Sequence, residues 1–543
     1  MGSNNADQIY DLDAILSELG QFGRFQIKNY ILLTIPILVS GIYTISFVFT
    51  AANPQYRCFV PECENLTETT FHTEWLKNAI PYKNDEPTQC YRYENVHTND
   101  TIIFNNGEEF CPSFWFERNE IQCNDGYVFN TDHRSIANDF DILCKDQWKL
   151  TLPGTIHNIG QFVSQPLTGI VSDKFGRKFA MSIGLLASVI CGISRSFSPN
   201  YLWFVTFEFL DAAIGSAVFA SAFILGTEFV NPSKRVLMSS IICSGYAFGE
   251  ALVGIIAWNV LSWRRLLQYL YGPGLILIVY FWIAPESVRW LIAKGRHKQV
   301  EKIIKNAAKQ NGVTLSDKSL AVLEANAIVS SESKTTGPKE YTLTDVLKNI
   351  SMLFRIINCS ICWITCVFVY FGLSLHSVEI AGNIHLNFIA VSLVEIPGYL
   401  ATYLCLDRFG RRKSLCGSFI LAGICCLSFI FVTNELLTVK LILFSLGKCA
   451  ITMSFVVIYV YTAELFPTPL RQTLLGLCSM FGRIGAMVAP QMPLLAKLWE
   501  PLPVFSFGVM SCISGLLVLF FPETLNIKLP DTIEEAVNIG KKV

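Results

Sequence analysis

The heptapeptide SDKFGRK at residues 172–178 returns as LDRFGRR at residues 406–412, 234 positions further along the chain. Two more pairs recur in the same order: EFVNPSKR at 228–235 with ELFPTPLR at 464–471, and PES at 285–287 with PET at 522–524. These pairs are separated by 236 and 237 residues, almost the same spacing as the first. Motifs repeated in one order at a nearly constant spacing indicate an internal duplication. We therefore predict two similar halves.

The composition is typical of a membrane protein. Hydrophobic residues make up 52% and charged residues 16% of the 543 positions, whereas soluble domains have ~45–50% and ~25%. Apolar runs close to the ~20 residues that cross a bilayer as a helix occur twelve times, six in each half. They lie near residues 28–50, 150–170, 179–197, 201–226, 237–261, 266–284, 353–373, 380–404, 414–433, 440–462, 474–496 and 501–521.

The basic residues predict which loops face the cytoplasm. They cluster before the first span and in alternate loops after it, so the positive-inside rule places those loops and both termini in the cytoplasm. The start of the chain lacks a basic region and a cleavage site, so we expect the first span to be retained as an anchor. Arg264 and Arg265 oppose the trend on the outer side. The prediction is a multi-pass plasma-membrane protein.

The loop at 51–147 carries the marks of an extracellular segment. An even number of cysteines in an oxidising compartment indicates disulfides, and six cysteines allow 15 pairings, which the sequence leaves open. Asn65 and Asn99 begin N-glycosylation sequons, whereas the sequon at Asn349 falls on the cytoplasmic side and is expected to be silent. The six cysteines are Cys58, Cys63, Cys90, Cys111, Cys123 and Cys144.

These spans and loops predict the fold class and the domain organisation. The fold is an all-α membrane protein with twelve transmembrane helices in two pseudo-symmetric six-helix bundles and a disulfide-bonded extracellular loop. The predicted divisions are a cytoplasmic N-terminal segment (1–27), a first bundle that includes the loop 51–147 (28–284), a cytoplasmic linker (285–350), a second bundle (351–521) and a cytoplasmic tail (522–543).

The repeated motifs predict an ionic latch at the cytoplasmic ends of each bundle. Glycine allows a tight turn between two helices, and arginine can hold two carboxylates in a forked geometry. The alternative is that these arginines only enforce topology and cap helices. A latch that breaks and reforms is useful where two bundles rock about a central site, as in transport. The proposed members are Asp173, Arg177, Glu228, Arg235, Glu286, Asp407, Arg411, Glu464, Arg471 and Glu523.

The motifs and the duplicated twelve spans resemble the major facilitator superfamily. LGQFGRFQ (19–26), PESVRWLIAKGR (285–296), YFGLSL (370–375), YTAELFPTPLRQT (461–473) and the cysteine-rich outer loop resemble its organic cation, carnitine and organic anion transporter family. The resemblance covers nearly the whole chain and implies the major facilitator fold and transport of small organic ions. Two features depart from the family pattern: Val288 replaces a common second proline, and the acidic Glu208 and Asp211 lie where many members carry a basic residue.

Ionisable residues inside the spans are the candidates for the substrate site, because a charge at the bilayer centre costs several kcal/mol. The resemblance implies that Glu395 lies at a position kept acidic in cation and carnitine transporters, and that Arg483 lies at one that is basic in carnitine and anion transporters. Both together suit a zwitterion; alternatively, the two side chains neutralise one another between helices. The other ionisable candidates are Glu208, Asp211, Glu250 and Lys448.

Aromatic side chains in two spans are the candidates for contacts with a quaternary ammonium group. A ring face attracts such a cation, although any one of these rings can equally serve only in packing. The predicted substrate-binding residues are Glu395, Arg483, Lys448, Trp363, Tyr370 and Tyr459.

The predicted function is transport of small organic ions by alternating access, with cations or zwitterions such as carnitine or β-alanine derivatives as substrates. Sodium or a proton is compatible as a coupling ion, and the lipid bilayer is the surrounding phase. The alternatives are an organic anion exchanger and, from another class, a non-transporting receptor or scaffold. No basic domain indicates nucleic-acid binding. The sequence lacks a nucleophile elbow, a P-loop and an HExxH motif, so we predict neither an enzyme nor a cofactor or metal site.

Overall fold

The chain is mainly α-helical in the computed structural model, and its long helices form two successive series. The structure describes residues 15, 17–20, 23–65, 69–83, 86–96, 111–130, 133–228, 235–316, 319, 346, 348–380, 382–467, 470–525, 527, 530 and 532–539. Contacts divide the chain into a helical unit (1–48, 151–259 and 267–543) and a smaller unit (49–150 and 260–266).

The first series contains six spans within the described residues. The first span is α1 (Arg24–Ile45) with α2 (Phe47–Thr50), and the cysteine-rich segment that follows contains α3 (Leu76–Ala79) and α4 (Ile136–Asp139). The other spans are α5 (Leu152–Phe175), α6 (Arg177–Ser196), α7 (Tyr201–Gly215) with α8 (Ala217–Glu228), α9 (Arg235–Asn259), and α10 (Trp263–Tyr271) joined through a 3-10 segment (Gly272–Val279) to α11 (Tyr280–Ile283).

The second series repeats this order after the linker. The linker contains α12 (Val288–Ala293) and α13 (His297–Asn311). The spans are α14 (Ile350–His376), α15 (Ile384–Leu393) with α16 (Glu395–Phe409), α17 (Arg411–Phe431), α18 (Leu437–Leu465), α19 (Arg471–Val488) with α20 (Met492–Ala496), and α21 (Leu502–Val518); α22 (Ile533–Asn538) follows them.

Twelve spans agree with the sequence prediction. Ten of them are long and apolar enough to cross a membrane among the described residues. The eleventh, α5, has 24 residues but carries the buried polar side chains His157, Asn158 and Gln161. The twelfth, α21, has 17 residues. Polar residues inside α5 therefore need partners within the protein, because a bilayer offers them none.

Two ends of the helical unit can be distinguished by the chain itself. At the inner end, α5 gives way to α6 through Gly176, and α16 gives way to α17 through Gly410. At the outer end, the first span ends and α5 begins, on either side of the cysteine-rich segment. The names inner and outer follow the cytoplasmic side that the sequence predicts.

The linker helix α13 packs on the N-terminal segment and α1. Its apolar side chains Val300 and Ile304 are buried in one cluster with Ile15 and Leu19. Asn311 ties the two chain segments together, since its Oδ1 accepts a hydrogen bond from the backbone N–H of Phe25 at 2.8 Å, while its Nδ2 donates to the Leu19 carbonyl at 2.8 Å. This part of the linker is thus helical, and residues 320–345 lie outside the described residues.

In its described residues, the smaller unit contains three antiparallel strand pairs around a core of cysteines and apolar residues. The buried guanidinium of Arg57 binds the Glu64 carboxylate through two hydrogen bonds of 2.7 Å. Arg264, which opposed the charge rule, donates to Asp139 at 3.0 Å in this unit, so its charge has a local acidic partner. The pairs are β1 (Tyr56–Cys58) with β6 (Tyr127–Phe129), β2 (Tyr82–Lys83) with β3 (Glu86–Pro87), and β4 (Tyr91–Asn95) with β5 (Phe116–Gln122).

The six cysteines of this unit form three disulfides, which resolves the pairing that the sequence left open. The bonds are Cys58–Cys123, Cys63–Cys111 and Cys90–Cys144. Asn65 is exposed, as a glycosylated asparagine must be, whereas Asn99 lies outside the described residues. Glycosylation at both positions stays a prediction. Asn349 caps α14, where its side chain accepts hydrogen bonds from two backbone N–H groups.

Candidate functional site

The first of two inner clusters joins α5, α6, α8 and the segment after α11. Arg177 Nη1 lies 3.0 Å from Asp173 Oδ1, and Arg177 Nε lies 4.0 Å from Glu228 Oε1. Glu286 Oε1 accepts the backbone N–H of Arg177 at 3.0 Å, so this carboxylate sits at the N-terminus of α6, where helix N–H groups favour negative charge. Ser287 Oγ donates to Glu228. Burial nonetheless raises the pKa of Glu228 above the ordinary glutamate value.

The second inner cluster has the same plan in the second half. Arg411 Nε lies 3.1 Å from Glu464 Oε2, and its Nη1 lies 3.4 Å from Asp407 Oδ1. Glu523 Oε1 accepts the backbone N–H of Arg411 at 2.8 Å. Thr524 Oγ1 donates to Glu464 Oε2 at 2.6 Å, in the position that a serine occupies in the first cluster. The duplicated motifs therefore fold into duplicated geometry.

The glycine of each motif is required by its surroundings as well as by its backbone. Gly176 has φ +107° and Gly410 has φ +88°, a region that side-chain-bearing residues rarely adopt. A Cβ added at Gly410 would lie 2.6 Å from the Glu523 carboxylate, and one at Gly176 would collide with Glu286. The absence of a side chain lets the carboxylate reach the first N–H groups of the next helix.

Eight of the ten predicted latch residues are thus brought together, four in each half. The side chain of Arg235 lies outside the described residues, and Arg471 begins α19 at the inner end. The ion pairs that the structure gives for these clusters each lie within one half. Their action as a latch during a conformational change stays a prediction.

A buried ion pair lies near the middle of the second half. Lys448 Nζ of α18 is 2.8 Å from Glu395 Oε1 of α16, and both side chains are fully buried. The hydroxyls of Tyr370 and Tyr399 donate to Glu395 Oε2 at 2.7 and 3.1 Å. Lys448 also donates to Ser374 Oγ at 2.6 Å, and its Nζ lies 3.4 Å from the centre of the Tyr370 ring. The pair that forms is therefore Glu395 with Lys448, not Glu395 with Arg483.

Arg483 of α19 instead joins a chain of polar groups in the first half. Its Nη1 donates to Gln161 Oε1 at 2.6 Å, and Gln161 Nε2 lies 3.2 Å from His157 Nε2. His157 Nδ1 lies 2.9 Å from Glu208 Oε1, whose second oxygen pairs with Arg195. Since the amide nitrogen of Gln161 donates, a neutral imidazole accepts at Nε2 and donates from Nδ1 to Glu208. One hydrogen-bonded chain thus connects the two halves.

Arg195 is fully buried and is the cation opposite the two acidic residues of α7. Its Nη2 lies 3.9 Å from Asp211 Oδ2 and donates to the Tyr271 hydroxyl at 2.8 Å. That hydroxyl in turn donates to Asp211 at 2.6 Å. The same Nη2 also donates to Ser46 Oγ at 3.0 Å. These contacts connect four spans of the first half.

The predicted aromatic residues form one cluster with Phe455. The Trp363 and Tyr459 rings lie 4.9 Å apart, and the Tyr370 ring stacks on Phe455 at 5.7 Å. Trp363 is buried, and its Nε1 donates to Thr462 Oγ1 at 3.1 Å. The hydroxyl and one face of Tyr370 are already occupied within the second half. Tyr459 and Phe455 are only partly buried and keep accessible surface.

Tyr246 of α9 brings the two predicted ends of the site into one region. Its side chain interacts electrostatically with Glu250, Glu395 and Arg483. Its ring also packs edge-on against Phe219, 5.6 Å away. Glu395 and Arg483 therefore both act electrostatically on one side chain of the opposite half, although they do not pair with each other.

Comparisons with known proteins agree with this architecture. The model of the sugar (and other) transporter family matches residues 113–535. Solute carrier family 22 member 21 of Mus musculus is 31% identical over 540 residues, which cover 98% of this chain and 94% of that protein. Organic cation/carnitine transporter 2 of Rattus norvegicus is 31% identical (97% and 94% covered), and the organic cation transporter protein of Drosophila melanogaster is 32% identical (98% and 95%).

A structural comparison finds the same fold in a bacterial transporter. The inward open conformation of the xylose transporter XylE from E. coli superposes with a TM-score of 0.62 at 16% identity, covering 95% of this chain and 100% of that chain. The partially occluded inward open conformation of XylE gives a TM-score of 0.61 at 17% identity, with 92% and 98% covered.

The chain belongs to the organic cation, carnitine and organic anion transporter family of the major facilitator superfamily. It is a multi-pass membrane transporter and not an enzyme. Its fold is the major facilitator fold of two six-helix bundles, as the repeated motifs predicted.

The halves of this transporter are packed together at their outer end. Gln491, which follows α19, donates to Thr155 Oγ1 of α5 at 2.6 Å and accepts from Thr151 Oγ1 at 2.9 Å. On the other side of the helical unit, Trp258 of α9 stacks on His385 of α15 with ring centres 6.1 Å apart. These contacts join the two halves at this end of the helical unit.

Sequence reasoning missed four residues at the centre of this transporter. Arg195 lay inside a predicted span, and that position alone would have nominated it as an intramembrane charge. Tyr246, Tyr399 and Phe455 gave no such signal, because aromatic residues are common in membrane helices. Only the fold brings the Tyr399 hydroxyl to Glu395, packs Phe455 against Tyr459 and places Tyr246 within electrostatic range of Glu395 and Arg483.

Proposed function

We propose that this transporter carries small organic cations or zwitterions, such as carnitine or β-alanine derivatives, across the plasma membrane by alternating access, with both termini in the cytoplasm. The observation that supports the proposal is that buried acidic and basic groups, among them Glu395 and Arg483, lie inside the helices and both act electrostatically on Tyr246. Acidic and basic groups in one region match the ammonium and carboxylate ends of such a substrate.

The charges in the middle of the helices support cations and zwitterions over simple anions. The central side chains include three cations and four carboxyl groups, one of which, Glu250, meets no hydrogen-bond donor among the described residues, so an entering positive group finds a carboxyl group to bind. Lys448 is already paired with Glu395, and Arg195 with Glu208, which leaves Arg483 alone for an anionic group. The group at the centre is made of Arg195, Lys448, Arg483, Glu208, Asp211, Glu250 and Glu395.

The relatives support the same substrate class. Relatives that are 30–32% identical over nearly the whole chain are named as organic cation or organic cation/carnitine transporters. Anion exchange, the alternative from the sequence, would require a basic site, and Lys448 is not available for one.

Uptake by cells that express the protein at the surface tests the proposal. We expect uptake of labelled carnitine or tetraethylammonium and none of p-aminohippurate. Arg483→Gln should reduce carnitine uptake more than tetraethylammonium uptake, because only carnitine carries a carboxylate. Arg408→Gln removes an exposed inner arginine and is the matched control. Uptake of p-aminohippurate alone would establish the anion exchanger instead, and no uptake at all would favour a receptor.

Repeating the uptake with sodium replaced and with pH varied identifies the coupling ion. A sodium-coupled carrier loses uptake when sodium is removed, whereas a proton-coupled carrier responds to the pH difference across the membrane. If neither change affects the rate, transport follows the gradient of the substrate itself.

A further inference from the structure

Glu250 is a fully buried carboxylate that meets no hydrogen-bond donor and no ion-pair partner in the described part of the chain. It lies in the middle of α9, is 0% exposed, and neither of its oxygens meets a hydrogen-bond donor among the described residues. Each other acidic residue at the centre has at least one donor or cation. Taking a single ionised carboxylate out of water costs several kcal/mol. Glu250 must therefore carry a proton or meet a cation that binds from outside.

Its position on α9 shows what Glu250 faces. Cys243 and Ala247 of α9 pack in one cluster with Tyr399 of α16. One helical turn beyond Glu250, Gly254 packs against Ile389 of α15. These α9 positions recur at the spacing of one helix face. Glu250 therefore faces the second half at the junction of α15 and α16, where Glu395 begins α16.

The group opposite is thus another carboxylate. Glu250 interacts electrostatically with Glu395 and Lys448. Two carboxyl groups can hydrogen bond to one another only if one of them carries a proton. Glu395 has a cationic partner in Lys448 at 2.8 Å, whereas Glu250 meets no donor among the described residues, so the proton belongs on Glu250 when no ligand is bound.

We propose that Glu250 is the binding residue for a monovalent cationic group, and that binding exchanges its proton for the cation. The sequence favoured Glu395, but that charge is already satisfied within the second half, whereas Glu250 has no counter-ion. The cation comes from the ammonium group of the substrate or from free sodium. For the substrate the inference rests on the proposed function and adds the residue that recognises its positive end.

The exchange balances without any other reactant. The Glu250 carboxyl loses its proton to the solution, and the resulting carboxylate binds the cation, so the total charge of the site stays the same. The titratable and charged groups that surround Glu250 are Glu395, Lys448, Tyr246, Tyr370 and Tyr399. The rings of the tyrosines supply faces for an ammonium group.

Calorimetry on the purified full-length protein tests the proposal. Wild type is titrated with tetraethylammonium chloride, with carnitine and, separately, with sodium chloride, for which potassium chloride is the comparison. Each titration is run in two buffers that differ in protonation enthalpy, because the difference in heat gives the number of protons released. The same titrations are run on Glu250→Gln, which keeps the shape and removes the charge, and on Glu250→Asp. Glu435→Gln, at an exposed position, is the matched control, and size-exclusion profiles check that each variant is folded.

Wild type is expected to bind a cation with the release of about one proton, as linkage requires. Glu250→Gln should bind it about 10- to 100-fold more weakly, the effect of losing a charged partner, and should release no proton. Glu250→Asp should keep the proton release. A response to tetraethylammonium or carnitine assigns the site to the substrate, and a response to sodium alone assigns it to a coupling ion. Both results support the proposal.

Unchanged affinity in Glu250→Gln, binding without proton release, or no binding of any of these cations by wild type would overturn it. The proposed function is judged separately by uptake. Cells that take up carnitine while Glu250→Gln binds it normally would refute this inference alone. Cation binding that depends on Glu250 without any uptake would refute the transport proposal alone.

Discussion

Lys448→Gln and Glu395→Gln are expected to destabilise the protein unequally, although they remove the two ends of one ion pair. Breaking a buried pair costs about 3–5 kcal/mol when the remaining charge has no replacement partner. Lys448→Gln leaves Glu395 beside Glu250, two carboxyl groups without a cation. Glu395→Gln leaves Lys448 beside Glu250, which can ionise and replace the lost carboxylate.

The magnitudes follow from the remaining contacts. In Lys448→Gln the Glu395 carboxylate retains only the hydroxyls of Tyr370 and Tyr399, so we expect a loss near the full 3–5 kcal/mol. In Glu395→Gln the cost is reduced to the weakening of these two hydrogen bonds, about 1–2 kcal/mol. With about 2 °C per kcal/mol for a long chain, the melting temperature should fall by about 6–10 °C in the first variant and about 2–4 °C in the second.

Thermal unfolding of the detergent-purified protein, followed by intrinsic fluorescence, measures this difference. The double variant Glu395→Gln/Lys448→Gln should recover part of the loss, because neither charge is then unpaired. Lys497→Gln, at an exposed lysine, is the control and should not change the melting temperature. Equal losses in the two single variants, or a larger loss in Glu395→Gln, would show that Glu250 does not replace Glu395.

Two further predictions concern the inner clusters. Gly410→Ala should lower the stability by about 1–2 kcal/mol for its positive φ alone, measured as a lower melting temperature. Gly417→Ala is the control and should not lower the stability, because an added Cβ there meets nothing within 4 Å. Equal melting temperatures of the two variants would contradict this prediction. Burial raises the pKa of Glu228, so the protonated side chain stabilises the folded state relative to the ionised one. This stabilisation is fully present below the ordinary glutamate pKa of ~4.3, and it is lost as pH rises through the higher pKa of the folded state. Glu228→Gln should therefore show a smaller fall in melting temperature between acidic and neutral pH than wild type, and parallel curves would refute this.

The inner clusters could be predicted from the sequence because duplication marks them twice. Asp173 and Asp407 occupy the same place in two copies of one motif, and so do Arg177 and Arg411. A repeated group of opposite charges at helix ends has few geometries open to it. The order of the spans was predictable for a similar reason, since span length is set by the bilayer.

The partners at the centre could not be predicted in this way. Sequence position gives the depth of a side chain in a span, but it does not give the neighbour that its helix face meets. Glu395 and Arg483 both lie at the centre, as expected, yet Lys448 pairs with the first and Gln161 with the second. These partners come from helices that are neighbours only in the folded chain, so no spacing along the sequence predicts the pairs.

The contrast between the ends and the centre suggests how the substrate couples to the conformational change. The inner clusters are duplicated and self-contained, so each moves with its own half. Arg483 differs, because its partner Gln161 belongs to the opposite half. Opening the outer end must separate α19 from α5 and with it these two side chains. Arg483 then lacks an acceptor, and a substrate carboxylate can take the place of the Gln161 amide. A zwitterion would thus favour the outward-open form at one end through Arg483, while its ammonium group engages Glu250 at the other.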